Sequence, residues 1–262
     1  EIPLRLVGSE MCIRDRHLPD TAQIVVVDAE GQQVPYQITS DEKVIFPVTV
    51  QANGSAVYTI KVGIPQECPV KACGRYYPER VDDVAWENDL TAFRAYGPAL
   101  QETGERAFGY DIWTKYNTTE PVVEARYEGE LNPDMKAKIA ELGKTDPKAA
   151  QELYRSVSYH VDHGNGLDCY KVGPTLGGGT TALMAGDTIV YPYCYATQEI
   201  LDNGPLRFTV KLVYNPLVVK GDSTIIETRI ITLDAGSYCN KTVVSYTNLK
   251  ETMPLAVGIV SV

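Results

Sequence analysis

The sequence is short of histidine, phenylalanine and positive charge. Only 3 His and 4 Phe occur among 262 residues, and 24 Lys+Arg face 34 Asp+Glu, a formal net charge of −10. That balance argues against nucleic acid as a partner, because phosphate binding wants a basic face. No apolar run reaches the ~18 residues that a membrane span needs, so none is expected. No Gly-x-Ser-x-Gly elbow is present. Gly177-Gly178-Gly179 lacks the Lys-Ser/Thr of a phosphate loop and the spacing of a dinucleotide fingerprint. These glycines are expected in a strand-loop-strand context, where they let backbone approach backbone. With 44% apolar and 22% charged residues the composition excludes a disordered tail, a collagen-like rod and a coiled coil. The length allows one large β domain or two smaller ones with a sizeable core. In place of phenylalanine there are 17 tyrosines, which suit strands and also wet, polar ligands such as sugars.

The first residues read as foreign. Met11-Cys12-Ile13-Arg14-Asp15-Arg16 can be spelled ATG-TGT-ATA-AGA-GAC-AG(R), which resembles the mosaic-end adapter of transposon-based sequencing libraries. Val7-Gly8-Ser9-Glu10 fits the adapter bases before it, so residues 1–16 are set aside as a library artefact. On that reading the natural N-terminus is missing and a signal peptide cannot be seen. Leu255 to Val262 reads as a strand in progress. The chain is therefore expected to be a fragment truncated at both ends, with an unpaired sheet edge. Without Cys12 there remain Cys68, Cys73, Cys169, Cys194 and Cys239, an odd set that leaves at least one thiol free or paired outside the fragment. Cys68 and Cys73 are candidates for a local disulfide. A zinc knuckle would need a second ligand pair nearby, and the sequence has none.

Residues 17–66 read as a small, incomplete β-sandwich module. Gln23 to Val27 is β-branched and apolar, Lys43 to Val50 is a second run, and Ser55 to Val62 alternates with period two. Asn53-Gly54 is a strong tight-turn signal. Gly63 to Gly74, with Pro65 and Pro69, reads as a linker, and residues 67–262 form a longer β domain. Its clear strands are Ala107 to Tyr116, Leu206 to Tyr214, Thr224 to Leu233, Lys241 to Thr247 and Leu255 to Val262. Phe208, Val210, Leu212 and Tyr214 share one face, as a sandwich of antiparallel sheets requires. A helical insertion spans 132–157. Asn132-Pro133 is an N-cap followed by Pro at the first helical position, and Gly143 is expected to close that helix. Asp146-Pro147 starts a second helix through about Val157. The pair either forms a flap beside the site or packs on the outer sheet face.

Three segments are too densely polar and aromatic to read as simple scaffold: Tyr76 to Gly97, Gly109 to Lys115, and Tyr159 to Gly179. In the third, His160 and Asp162 would project to one face of a strand. Gly164 and Gly166 allow a sharp turn that would bring His163 to Asp168. Such a set can bind a divalent metal, with His160, His163 and Asp168 as ligands. It can equally supply a general base whose partner carboxylate orients it, or be a hydrogen-bonded loop with structural histidines. In the first segment Glu87 and Asp89 alternate with Trp86 and Asn88. Carboxylates beside an aromatic suit a sugar site and admit a paired-carboxylate glycosidase or an epimerase. The bland alternative is a surface ion-pair network among Arg80, Asp82, Asp83 and Arg94.

Together, the Tyr-Pro-Glu-Arg-x-Asp-Asp-x-Ala-Trp-Glu-Asn-Asp run, the Tyr-Asp-x-Trp-Thr-Lys strand, the Tyr-His-x-Asp-His-Gly-x-Gly-x-Asp loop and Leu201-Asp202-Asn203-Gly204-Pro205-Leu206-Arg207 resemble domain-of-unknown-function family 4861. The resemblance covers residues ~17 to 262. It implies an all-β, galactose-mutarotase-like supersandwich and a periplasmic or secreted protein that accompanies bacterial polysaccharide breakdown. It further implies a carbon–oxygen lyase, an oligosaccharide dehydratase acting on uronate-containing oligosaccharides or polysaccharides. Removing the C5 proton and the C4 hydroxyl of a uronate requires a neutralised carboxylate, a base and an acid. For that reaction the residues nominate His160 or His163 as base, Asp162 as its orienter and Tyr159 or Tyr170 as acid. Arg80, Arg94 or Lys115 would neutralise the carboxylate. The rival class is a non-catalytic carbohydrate-binding module with Trp86, Trp113 and the tyrosines as its platform.

Overall fold

Ile24–Val27 is a run of four β-branched residues, all buried, and it forms the central strand (β1) of a small sheet. The computed structural model describes residues 23–261, so the stretch 1–16 read as adapter lies outside the described residues. The chain divides into two compact units at the Pro69–Val70 boundary. In the first, β1 is flanked by β2 (Gln33–Val34) and β5 (Thr59–Val62), while β3 (Gln37–Ile38) pairs with β4 (Val44–Ile45). The Asn53-Gly54 turn forms, with the Gly54 N–H donating to the Gln51 carbonyl at 2.9 Å. The two long runs expected around that turn shorten to β4 and β5, and each pairs elsewhere. Cys68 and Cys73 are both free thiols, so the local disulfide does not form.

The second unit is an antiparallel β-sandwich. One sheet has the order β6 (Ala72–Tyr77), β7 (Asp83–Asn88), β8 (Thr91–Ala95) and β9 (Asp111–Thr114). The short α1 (Pro98–Glu102) is inserted between β8 and β9, and after the sheet come α2 (Val123–Leu131), α3 (Pro133–Thr145) and α4 (Pro147–Arg155). A three-stranded sheet places β10 (Thr180–Ala185) between β11 (Thr188–Val190) and β17 (Leu255–Gly258). The large sheet runs β12 (Tyr195–Asn203), β13 (Arg207–Tyr214), β15 (Asp222–Asp234), with β14 (Leu217–Val219) and β16 (Lys241–Thr247) both pairing β15. The strand expected over Ala107 to Tyr116 is the short β9, and β6 begins inside the stretch read as linker.

The core follows the period of two. Phe208, Val210, Leu212 and Tyr214 of β13 meet Val84, Trp86, Phe93 and Ala95 of the first sheet, all buried. Trp86 lies nearly parallel to Phe208 (6.3 Å, 11°) and to Phe93 (5.9 Å, 20°). The alternate residues Ala85, Ala92 and Trp113 face the other way, where Val123 and Tyr127 of α2 cover them. Gly177 and Gly178 sit where a Cβ would come within 2.7 Å of the Tyr110 carbonyl and 2.6 Å of Ile112, so these glycines do admit backbone to backbone.

The helical insertion starts as its sequence dictates. The side chains of Asn132 and Asp146 accept from the N–H of Met135 (2.9 Å) and Ala149 (3.0 Å), with Pro in the first turn of both helices. Gly143 does not end α3, which runs two residues further to Thr145. Asn132→Ala is expected to cost about 1 kcal/mol, read as a lower urea midpoint. An unchanged midpoint would mean that α3 lies outside the cooperative unit. None of the helices among the described residues is long and apolar enough to cross a membrane.

Candidate active site

The face of the first sheet that carries Ala85, Ala92 and Trp113 also carries charge. Alternation puts Asp83 of β7, Arg94 of β8 and Asp111 of β9 on this same face, and Arg94 stands directly opposite Asp111 across the ladder. Its other neighbour in the row is Ala85, too small to fill the space beside it. The Arg94 guanidinium is buried, bonded to Asp111, 3.1 Å from Asp168 and 3.9 Å from Asp83. Trp113 and Tyr159, stacked 4.9 Å apart, lie beneath it. Burial opposes the Arg94 charge, but the surrounding phenols and carboxylates hold its pKa well above the usual guanidinium range.

Residues 158–173 wrap over this row as turns, not as the expected strand. Gly164 and Gly166 take φ of +95° and +98°, and a Cβ on Gly166 would lie 2.1 Å from the Thr114 carbonyl. The sharp turn is therefore real, but it delivers Asp168, not His163, to the arginine. Between the loop and the sheet lies a cavity of about 340 Å³ whose walls include Arg80, Arg94, Tyr96, His160, Asp168 and Tyr170. Arg106, Lys171 and Glu105 stand on the same lining. Four permanent cations line the cavity with Glu105 and Asp168, and Asp83 and Asp111 stand behind Arg94, so the site gathers charge of both signs.

His160 Nδ1 lies 3.1 Å from the backbone carbonyl of Asp168 and 3.5 Å from its carboxylate. A carbonyl only accepts, so Nδ1 holds the proton and Nε2 presents its lone pair. The ring is half exposed. Burial pushes the Asp168 carboxyl up to about 6 against the pull of Arg94. Asp83 is likewise pushed up to about 6 by burial, with Arg94 opposing. Arg80 donates to the Tyr159 hydroxyl at 3.1 Å. The Tyr96 phenol, buried beside Arg94, is kept protonated by desolvation. Two guanidinium nitrogens of Arg94, Nε and Nη1, have no hydrogen-bond partner among the described residues. Each buried N–H left so is a strong demand for an acceptor.

Several nominated residues stand elsewhere. Trp86 is fully buried between the sheets, and Trp113 is closed in under Arg94, so neither is a sugar platform. Lys115 is buried on Glu87 (2.8 Å) and on the Asn88 carbonyl. Glu87 also accepts from the N–H groups of Val122 and Val123, an anion at the start of α2. Asp89 accepts from the Gly236 N–H instead, so the two acids serve different contacts. Asp162 accepts from the Tyr116 hydroxyl and the Gly164 N–H and does not orient His160. His163 Nε2 lies 3.0 Å from the Ser158 carbonyl. With His163 so engaged, the expected metal set of His160, His163 and Asp168 does not come together. No group of three His, Cys, Asp or Glu side chains suited to a metal occurs among the described residues. Tyr159 is buried, and Tyr170 reaches the cavity but points its hydroxyl at the carbonyls of Gly177 (2.9 Å) and Val260 (2.8 Å). The site instead recruits Tyr96, Asp83 and Asp111. Their signal was present in the alternation around Arg94 and at the strand partner of Arg94.

A second cavity of about 200 Å³ is lined by Cys73, Arg75, Tyr77, Glu87, Glu124 and Asn203, among others. Burial and the nearby Glu87 push the Cys73 thiol up to about 11, which leaves it a poor nucleophile at neutral pH.

The profile of the family described as "Domain of unknown function (DUF4861)" matches residues 9–262. The chain belongs to this family. The DUF4861 match overlaps residues 9–16 of the stretch read as adapter. The chain is also similar to "Uncharacterized protein P7" of Formosa agariphila, 28% identical over 226 residues, which cover 83% of this chain and 49% of the relative. The chain thus spans about half the length of that curated relative. No solved structure matches it.

Proposed function

We propose that this chain acts on the uronate end of an acidic oligosaccharide and removes water from it by β-elimination. The observation that supports this reading is the cavity whose wall brings Arg80 and Arg94 together with His160 and Asp168. A carboxylate satisfies paired guanidinium donors better than a neutral ligand does. Neutralised in this way, the substrate carboxylate can accept charge from the adjacent carbon. His160 Nε2 then takes the C5 proton, and the C5–H electron pair moves into the carboxylate as an enediolate. Collapse of the enediolate forms the C4–C5 double bond and breaks the C4–O bond. The leaving hydroxyl takes the proton of the Tyr96 phenol and departs as water. Arg94 donates to the Tyr96 oxygen at 3.4 Å and steadies the phenolate. Solvent carries the proton from imidazolium back to phenolate. The same reading sets the protein in the periplasm or outside the cell, where polysaccharide breakdown releases such oligosaccharides.

The assay is direct. Uronate-ended oligosaccharides incubated with the full chain should gain the ultraviolet absorbance of a conjugated 4,5-unsaturated uronate. Binding without that absorbance would favour the carbohydrate-binding reading, to which the burial of both tryptophans already offers little support.

A further inference from the structure

The wall of the cavity does not end at Arg94. It continues through Arg106, an exposed residue whose guanidinium lies over the Tyr193 ring, 5.5 Å from its centre. Tyr193 is 37% exposed. Two residues earlier, Tyr191 stacks on Phe108 at 4.8 Å and 23°. The segment 106–108 and the segment 191–193 are thereby tied by two ring contacts, with buried Pro192 between the tyrosines. The backbone there is also held, because the Phe108 carbonyl accepts from buried Arg229 at 3.0 Å. Tyr193 is thus an exposed aromatic on a braced segment at the rim of the cavity wall, with a cation over its ring.

Resting on the reading above, we infer that Arg106 and Tyr193 form a second saccharide subsite that takes the acidic sugar next to the reacting one. Tyr193 offers a flat apolar surface to the C–H face of that sugar. Arg106 offers its guanidinium to that sugar's carboxylate. Lys171 adds charge along the same lining, and Glu105 can accept from a hydroxyl. The preferred substrate is therefore a chain of at least two acidic residues, not a single uronate.

The test is a calorimetric titration of the full chain with D-glucuronate and with unsubstituted di- and tetraglucuronate. The disaccharide should bind at least about tenfold tighter than the monosaccharide, the gain one stacking and one charge contact supply. Tyr193→Ala should abolish that gain and leave monosaccharide affinity unchanged, and Tyr193→Phe should keep it. Arg106→Gln should reduce the gain and its sensitivity to salt. Equal affinity for mono- and disaccharide in the unaltered protein, or a gain that survives Tyr193→Ala, would overturn the subsite. Binding of none of the three, or monosaccharide binding indifferent to Arg94→Met, would instead overturn the uronate reading on which the subsite rests.

Discussion

Turnover of an acidic oligosaccharide should fall about 10²- to 10⁴-fold in His160→Ala, the range over which a positioned base contributes, while affinity stays near that of the unaltered protein. The two effects separate because different groups carry them. On the proposed reading binding belongs to the guanidinium groups of Arg94 and Arg80 on the cavity wall, which the substitution leaves in place. On the same reading the base is the lone pair on Nε2, presented because Nδ1–H is spent on the Asp168 carbonyl. His163→Ala is the matched control. Its Nε2 is engaged by the Ser158 carbonyl and its side chain is not part of the cavity wall, so turnover should not change. Loss of turnover in His163→Ala with none in His160→Ala would transfer the base to the other imidazole. Equal loss of affinity and turnover in His160→Ala would make the ring a binding group and not a base.

Which of these two histidines faces the cavity was not legible from their spacing. Both sit in one loop, and a strand would have put His160 beside Asp162. The loop instead folds as turns, in which the Asp162 carboxylate caps the Gly164 and Gly166 N–H groups. A side chain committed to its own turn cannot orient a neighbour. The glycines were readable because a positive φ is a local demand. Where the turn delivered its residues depended on Thr114, whose carbonyl passes 2.1 Å from the place a Gly166 Cβ would occupy.

The same division runs through the fold. Apolar alternation in β13 and the capping residues Asn132 and Asp146 are local signals, and each forms what it predicts. Helix α2 carries no capping side chain of its own, and its first N–H groups are met by Glu87, 35 residues earlier. A cap supplied across that distance leaves no trace in the helix's own sequence. Glu87 with Trp86 read as a sugar site for the same reason. Dense polar and aromatic residues look alike whether they meet a ligand or brace a sheet, and here β7 is an inner strand with Trp86 in the core.

Two buried guanidinium groups show how the molecule distinguishes structure from site. Arg229 is wholly enclosed, paired with Glu227 at 2.5 Å, and faces the rings of Tyr214 (4.3 Å) and Tyr110 (5.7 Å). It is not on the wall of either cavity described. Arg94 is as deeply buried but opens on the larger one, and three carboxylates compete for it. That excess of acid is costly in the absence of the cation.

Arg94→Met should therefore destabilise the fold by roughly 3–5 kcal/mol near neutral pH, the cost of leaving buried charge uncompensated, and the cost should shrink as the pH falls. The sign follows from Asp83 and Asp168. Burial raises both from 3.8 to about 6 in the folded protein. Between those two values the folded state holds more protons than the unfolded one, so their contribution is fully present below about pH 4. It is lost as the pH rises through 6. Arg94 is the largest influence pulling both values down. Its removal moves them higher still and carries the loss into the neutral range. Urea unfolding of both proteins at pH 5 and pH 8 reads this directly: the difference between them should be smaller at pH 5. A difference that does not change with pH would mean that Arg94 supports the sheet by packing over Trp113 and not by neutralising the acids beside it.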